Sequence, residues 1–308
     1  MQLADSIIKK YSLGNSIKCS LIEDGIENLN YLISTPKEKF VLRIYNSKRS
    51  IEEIKKELEV LEYLDFEGIP IPEIQNNLDD SPITTFNNRY AVLFYFVGGE
   101  HPKWKPIEVA LSKDIGIQVA KLHKVLQNFN KDFKTKKMKT FLINLLKKVR
   151  EQEDIKKYEK YIVEIQSKYR DESFRKSIIH GDISRENILI KGNKLNSFLD
   201  FDDMHKGLLI WDVAIAVTQL FITKSFGIDW RGLDAFLEGY NSILKLSEEE
   251  KDAIFDLLII RNIEIALITA EKSSEKESDS LQSINQSVLK KIELIEENRE
   301  RLREILVK

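Results

Sequence analysis

Cysteine is almost missing from this chain: of 308 residues, Cys19 is the single one. That rules out a disulfide framework or a cysteine-built metal centre within one chain. An excess of one charge is missing too. The 48 Lys and Arg residues stand against 50 Asp and Glu, a net charge of −2. Such a balance gives little bulk attraction for a polyanion, so nucleic acid is not an expected partner. No basic start leads into a short apolar segment, and no apolar run is long enough to span a bilayer. The expected setting is cytoplasmic, without a membrane partner. No internal repeat is visible. What is present is 42% apolar and 32% charged residues. That is enough apolar material for one large domain or two small ones, and it excludes global disorder.

The most informative stretch runs from Ser177 to Asp203. Ile178 and Ile179 lead into His180-Gly181-Asp182, and Asn187 follows five positions after the aspartate. Ile188, Leu189 and Ile190 read as a strand, Gly192-Asn193 as a turn, and Ser197 to Leu199 as the returning strand. That strand ends in Asp200-Phe201-Asp202-Asp203. A hairpin would therefore hold an aspartate and an asparagine near an acidic cluster. Phosphoryl transfer uses such a set: one carboxylate orients the attacking hydroxyl, while an amide oxygen and a second carboxylate hold magnesium on the nucleotide phosphates.

The spacing resembles the kinase catalytic loop H-x-D-x-x-x-x-N followed by a metal-binding aspartate. With H-G-D and a D-F-D ending, it is similar to the aminoglycoside phosphotransferase and choline kinase superfamily, protein-kinase-like enzymes acting on small molecules. The resemblance covers about Gly25 to Arg261. It implies an α+β, bilobal protein-kinase-like fold: a small antiparallel-sheet lobe, residues 1–97, that binds nucleotide, and a larger helical lobe, residues 98–308, that carries catalysis and the acceptor. ATP and Mg2+ would lie between them. Asp182 would be the base. Asn187 and Asp200 would bind magnesium, with Asp202 assisting.

Residues 3–12 read as a short helix, and Ile17–Ile22, Leu29–Thr35 and Lys39–Tyr45 as strands. The turn between the first two carries only Gly25, so the G-x-G-x-x-G signature is absent. Taken alone, that hairpin is structural. Within the family, G-I-E-N-x-N-Y resembles the nucleotide loop of homoserine-kinase-type members, where Gly25 would allow close backbone approach and Asn28 and Asn30 would shape the turn or point at phosphate. Arg43 stands where the kinase pattern has its phosphate-binding lysine, which keeps the charge and changes the geometry. Glu52 to Leu64 is an amphipathic helix with Ile54, Leu58, Leu61 and Leu64 on one stripe. Glu57 is its candidate partner for Arg43, with Glu53 and Glu59 competing. Arg89 to Val97 is a buried-type strand ending in a hinge, where Tyr95 to Val97 would offer backbone groups to adenine.

Beyond the hinge the pattern is helical: Pro106–Gln127, Phe141–Ser167, a helix starting at Ile210, then Trp230–Leu244, Glu248–Ala270 and Leu281–Leu306. His123 reads as a packed core histidine. The lysine-rich stretch from Phe129 to Lys139 reads as a solvated loop, with docking of an acidic partner as the alternative. Met204 to Leu209 reads as a short connection. Asp212 would tie a helix start to the catalytic loop. Arg261 either pairs with a substrate carboxylate or is a buried arginine paired within the protein. Only twelve positions separate Asp200 from Asp212. That leaves no room for the peptide platform of a protein kinase, so the expected partner is a small hydroxylated acceptor. Homoserine or a similar amino alcohol fits the loop pattern. An aminoglycoside, a sugar, or no acceptor at all, as in an inactive nucleotide-binding regulator, stay open, and so does the choice between monomer and homodimer.

Overall fold

The structure is a computed structural model, and it describes residues 2–14, 18–22, 28–136, 138–149, 158–159, 161–163, 174–223, 225–273 and 280–307. The chain divides into two compact units. One comprises Met1–Glu100 with Asn196–Leu199, the other His101–Leu195 with Asp200–Lys308. The first is built on an antiparallel sheet and the second, larger, is mostly helical, which is the α+β class the sequence implies.

In the first unit, β1 (Lys18–Ile22), β2 (Leu29–Ser34), β3 (Lys39–Ile44), β4 (Ile74–Gln75), β5 (Thr84–Phe86) and β6 (Arg89–Tyr95) form one antiparallel sheet. The order is β1-β2-β3-β6-β4, with β5 also paired to β6. The period-two alternation of β3 sets its two faces. Phe40, Leu42 and Ile44 are buried, and Lys39, Val41 and Arg43 point the other way. The buried face joins Tyr31, Ile33, Ala91 and Leu93 and is closed by Ala4, Ile7, Ile8 and Tyr11 from helix α1 (Gln2–Ile8) and the residues after it. Helix α2 (Ile51–Phe66) starts in a capping box: Ser50 Oγ accepts from the Glu53 N–H, and the Glu53 carboxylate accepts from the Ser50 N–H. Its buried stripe is Ile54, Leu58, Leu61 and Leu64, with Val60 and Glu57 beside it. Truncating a leucine such as Leu64, fully buried there, would cost about 2–5 kcal/mol.

In the second unit, α3 (Val109–Leu126) lies against α6 (Trp230–Ile243) at very short range. A Cβ on Gly116 would overlap the Phe236 carbonyl, and one on Gly239 would overlap that of Lys113. The remaining helices are α4 (Met138–Val149), α5 (Leu209–Ala216), which runs into a π-turn at Val217–Phe221, α7 (Glu248–Ser273), α8 (Ser280–Glu297) and α9 (Arg299–Val307). Every residue of α5 is buried, as expected of a helix that is apolar on all sides but for Asp212.

The later short strands of the chain are β7 (Lys176–Ile179), β8 (Ile188–Lys191), β9 (Lys194–Phe198), which from Asn196 on belongs to the first unit, and β10 (His205–Leu208). The stretch expected as a plain connection, Met204 to Leu209, contains β10, which pairs antiparallel with β7. The lysine-rich stretch also departs from expectation. Thr135 bridges to Lys206, and Lys206 N–H donates to Lys134 O (2.7 Å), so this segment extends the β7–β10 sheet. Helix α4 is described as far as Val149, and most of the expected continuation to Ser167 lies outside the described residues. So does the greater part of the polar stretch from Glu271 to Ser280, between the last two expected helices. The C-terminal helix is two helices, interrupted at Asn298, whose side-chain amide donates to Leu294 O (2.8 Å).

Candidate active site

Strand β7 delivers His180, Gly181 and Asp182 to its C-terminal end. Gly181 has φ +86°, and a Cβ there would come to 2.6 Å from Asp203 O. Glycine is thus required twice, by the left-handed backbone and by the close approach of the acidic turn. The loop is fixed from behind by Asp212 on α5, which is fully buried. Its Oδ2 accepts from His180 N–H (2.7 Å) and its Oδ1 from Gly181 N–H (2.8 Å). His123 Nε2 donates to the same Oδ2 (3.1 Å), and its Nδ1 meets Tyr240 Oη (2.8 Å). Burial alone would raise the Asp212 pKa. The hydrogen bond and charge of His123, the charge of His180 and the Gly181 N–H outweigh it, so the carboxyl is held below its usual value. The expected tie between Asp212 and the catalytic loop is present, and His123, read as packing, is part of it.

Asp182 is partly buried and held on both oxygens. Asn187 Nδ2 donates to Oδ2 (2.8 Å) and to the Asp182 carbonyl (3.0 Å). Arg261 Nη2 on α7 donates to Oδ1 (3.2 Å). Burial raises the Asp182 pKa. Arg261 and His180 pull it down, Asp203 and Asp200 push it up, and the net direction is upward. A carboxylate so placed is a better proton acceptor than a free aspartate. Arg261 also donates to Glu264 (2.6 Å), and Lys136 Nζ reaches the other Glu264 oxygen (3.2 Å) while lying over the Phe141 ring. Of the two readings of Arg261, the structure therefore shows pairing within the protein. Arg185, three residues after Asp182, is buried among backbone carbonyls. It donates to those of Lys103, Lys105 and Leu220 and stacks on Trp104. Sequence reading missed Arg185, Glu264 and Lys136. None carries a motif, and each is brought to the site only by tertiary packing.

Asp200 has φ +58° and is exposed, at the head of the acidic turn. Phe201 packs on the His180 ring (centroids 4.6 Å apart), and Lys134 Nζ donates to Asp202 O (3.1 Å). Among the described residues, no three His, Cys, Asp or Glu side chains form a ready metal cage. Magnesium does not need one, because it takes one or two carboxylates and completes its shell with phosphate oxygens and water. The donor set fits that demand. The Asn187 amide nitrogen is spent on Asp182, which leaves its oxygen as the atom to offer, and Asp200 and Asp203 lie close enough to act on the Asp182 charge.

The first unit holds the other expected residues. Gly25 lies outside the described residues. Asn28 is buried, and its Oδ1 accepts from Asn46 N–H (3.0 Å). Asn30 Oδ1 accepts from Arg43 Nε (3.4 Å), and the Arg43 guanidinium lies over Phe94. Glu57, 2% exposed, takes Tyr45 Oη (2.9 Å) on one oxygen and Arg49 (2.5 Å) on the other. Arg49, one partner of Glu57, stands before the helix and not on β3. Tyr95 N–H donates to Glu73 O and Phe96 N–H to Lys39 O, and the Tyr95 hydroxyl donates to Gln75 (2.5 Å).

The model of the phosphotransferase enzyme family, APH, matches residues 18–248. The chain belongs to that family. By class this APH-family enzyme is a small-molecule kinase. Its similar relatives include the homoserine kinase of Zymomonas mobilis subsp. mobilis, 26% identical over 257 residues, 80% of this chain and 78% of that protein. The homoserine kinase of Methylobacillus glycogenes is also 26% identical, over 83% of this chain and 80% of its own. Among solved structures, an amicoumacin kinase in complex with AMP-PNP, Ca2+ and Ami superposes with TM-score 0.79 at 16% identity, over 96% of this chain and 93% of that one. A microcompartment-associated aminopropanol kinase gives 0.74 at 18%, over 98% of both. These two likenesses are of fold: the protein-kinase-like architecture is shared. Among the described residues, no helix is long and apolar enough to cross a membrane.

Proposed function

We propose that this APH-family enzyme transfers the γ-phosphate of ATP, with magnesium, to the hydroxyl of a small amino alcohol, homoserine being the favoured acceptor. The observation that carries this reading is the Asp182 carboxylate, set by Asn187 and Arg261 and made more basic by burial. The homoserine kinase relatives, matched over about four fifths of the chain, support the acceptor. Asp182 orients the acceptor hydroxyl and takes its proton as the oxygen attacks. The clamp behind it, Asp212 with the His180 and Gly181 amides, keeps the loop from shifting during transfer. Positioning of this kind is most of what phosphoryl transfer asks of a protein. Asn187 Oδ1 and Asp200, assisted by Asp202, would hold magnesium, whose chemistry is to neutralise the charge on the phosphates. Residues 1–97 bind the nucleotide in this reading. Arg43 meets phosphate beside Asn28, Asn30 and Gly25, and Glu57 steadies the helix side of that unit. Because the Tyr95 and Phe96 amides are already engaged, adenine recognition falls to the Val97 backbone.

The test is magnesium-dependent ATP consumption across homoserine, other amino alcohols, sugars and aminoglycosides, with Asp182→Asn as control. The expected result is turnover with an amino alcohol and a drop in kcat of roughly 10²–10⁴ in the variant, with ATP affinity changed by less than about tenfold. Wild-type turnover in the variant would remove Asp182 from the role of base. Binding of magnesium-ATP without phosphorylation of any acceptor would favour an inactive regulator.

A further inference from the structure

Behind the clamp on the catalytic loop stands a fully buried tyrosine, Tyr240 on α6. Its hydroxyl lies 2.8 Å from His123 Nδ1, and the two rings meet edge-on, with centroids 5.7 Å apart. The other ring nitrogen, Nε2, is 3.1 Å from Asp212 Oδ2, which also accepts from His180 N–H. Three helices thus meet in one hydrogen-bonded line: Tyr240 from α6, His123 from α3 and Asp212 from α5. The close approach of α3 and α6 makes the line possible. Gly116 lies two turns before His123 on α3, and a Cβ there would come to 2.9 Å from Tyr240 N. Gly239, next to Tyr240, leaves the same room on α6.

The protons of this line have one arrangement that satisfies every group. The Tyr240 hydroxyl keeps its proton, because burial, with Glu250 and Asp212 and against Arg175, raises its pKa. A buried phenolic O–H takes an acceptor, and among the described residues His123 Nδ1 is the one it meets. Nδ1 is therefore bare, and the ring proton sits on Nε2, where Asp212 accepts it. A proton on Nδ1, in a neutral or a charged ring, would leave the tyrosine O–H buried without an acceptor.

We infer that Tyr240 is a positioning residue for the catalytic loop: its hydroxyl fixes His123 in the Nε2–H form, and so keeps Asp212 on the amides that lead into Asp182. A helix with no catalytic motif thereby acts on the loop through two intermediaries. Its consequence for transfer rests on the reading of Asp182 as the base; the ring form and the hold on the loop do not.

The experiment uses Tyr240→Phe, which keeps the ring and removes the hydroxyl, with His123→Gln and the double variant. The chain has 4 histidines, so nitrogen-15 spectra of histidine-labelled protein are simple, and His123→Gln assigns the signals of His123. Wild type should show His123 with a bare Nδ1 and a protonated Nε2, and Tyr240→Phe should show a second form of the ring. Hydrogen exchange at the His180 and Gly181 amides should quicken by about tenfold or more, beyond what the change in urea midpoint accounts for. With homoserine as acceptor, kcat should fall roughly 5- to 50-fold at unchanged KM for ATP, short of the about 10²-fold that a 1 Å misplacement costs. In the His123→Gln background, adding Tyr240→Phe should change kcat and exchange by less than about threefold. A protonated Nδ1 in wild type, an unchanged ring in Tyr240→Phe, or wild-type exchange at both amides would overturn the inference. So would a full further loss in the His123→Gln background, which would mean that Tyr240 acts by packing alone. If ring form and exchange change as expected while transfer does not, the hold on the loop stands and the reading of Asp182 as the base fails.

Discussion

Asp212→Ala tests how the catalytic loop is held. The substitution removes the acceptor for three donors at once: His180 N–H, Gly181 N–H and His123 Nε2–H. The His180 and His123 side chains are fully buried, as is Asp212, so water reaches these donors poorly. A buried donor left without a partner costs about 1–3 kcal/mol. Three of them, less whatever a water in the vacated space restores, give roughly 3–6 kcal/mol. Against a usual total of about 5–15 kcal/mol, that is a large share, and it corresponds to a drop in Tm of the order of 10–20 °C. Asp212→Asn should rescue little, because an amide turns one accepting edge into a donor facing other donors. The assay is urea unfolding at pH 7, followed by the same measurement from pH 7 down to pH 2. The folded pKa of Asp212 is depressed, so its contribution is fully present above the unfolded value of about 3.9. It is lost as pH falls through the lower folded value. The gap between wild type and variant should therefore stay flat from neutrality to about pH 4 and narrow below. A gap under about 1 kcal/mol at pH 7, or one that widens in acid, would refute the clamp.

Gly181→Ala places a Cβ against Asp203 O at a left-handed φ. It should cost about 1–3 kcal/mol and lower kcat by tenfold or more by parting Asp182 from the acidic turn; wild-type kcat would show that the approach is unimportant. Asp200→Asn keeps a residue that tolerates φ +58° while removing the charge. Thermal shift with ATP should then lose its magnesium-dependent increment, and an undiminished increment would take Asp200 out of the metal site. In a double-mutant cycle, Arg49→Met with Glu57→Gln should couple by about 1 kcal/mol or more; strict additivity would show that their contact contributes nothing.

What the sequence made legible is what is local. The alternation of β2 and β3, the stripe of α2 and the His180 to Asn187 spacing each lie within one element or one loop, and each stands in the fold at nearly its expected bounds. What it hid depends on partners far along the chain. Strand β10 has the sequence His205-Lys206-Gly207-Leu208, without apolar alternation, and exists because β7 pairs with it. The lysines at 134 and 136 look solvated until that sheet carries them to Asp202 and Glu264. Glu57 stands on the expected helix, and its contact with Arg49 depends on how the turn before α2 folds back. Asn298 gives no sequence sign of a break, because its effect comes from a side-chain bond to the preceding turn.

Two opposed influences act on Asp182, and their outcome bears on its role. Arg261 is hydrogen-bonded to the carboxylate, and a cation so near favours the charged form and makes it a weaker base. If that contact dominated, Asp182 would be an inert half of an ion pair. It does not dominate: burial, with the charges of Asp203 and Asp200 behind it, moves the pKa upward. Glu264 explains part of this. It takes the shorter of the two Arg261 contacts, at 2.6 Å against 3.2 Å for Asp182, and so draws the guanidinium charge toward α7. Arg261 can then orient Asp182 without neutralising it. The same reasoning gives Glu264 a consequence for transfer, although it lies 82 positions from Asp182 in sequence. Glu264→Gln should leave the loop clamp in place and let Arg261 bind Asp182 more strongly, shifting the acidic limb of the kcat–pH profile to lower pH and slowing transfer at neutrality. An unshifted limb would mean that the Arg261 charge is not shared between the two carboxylates.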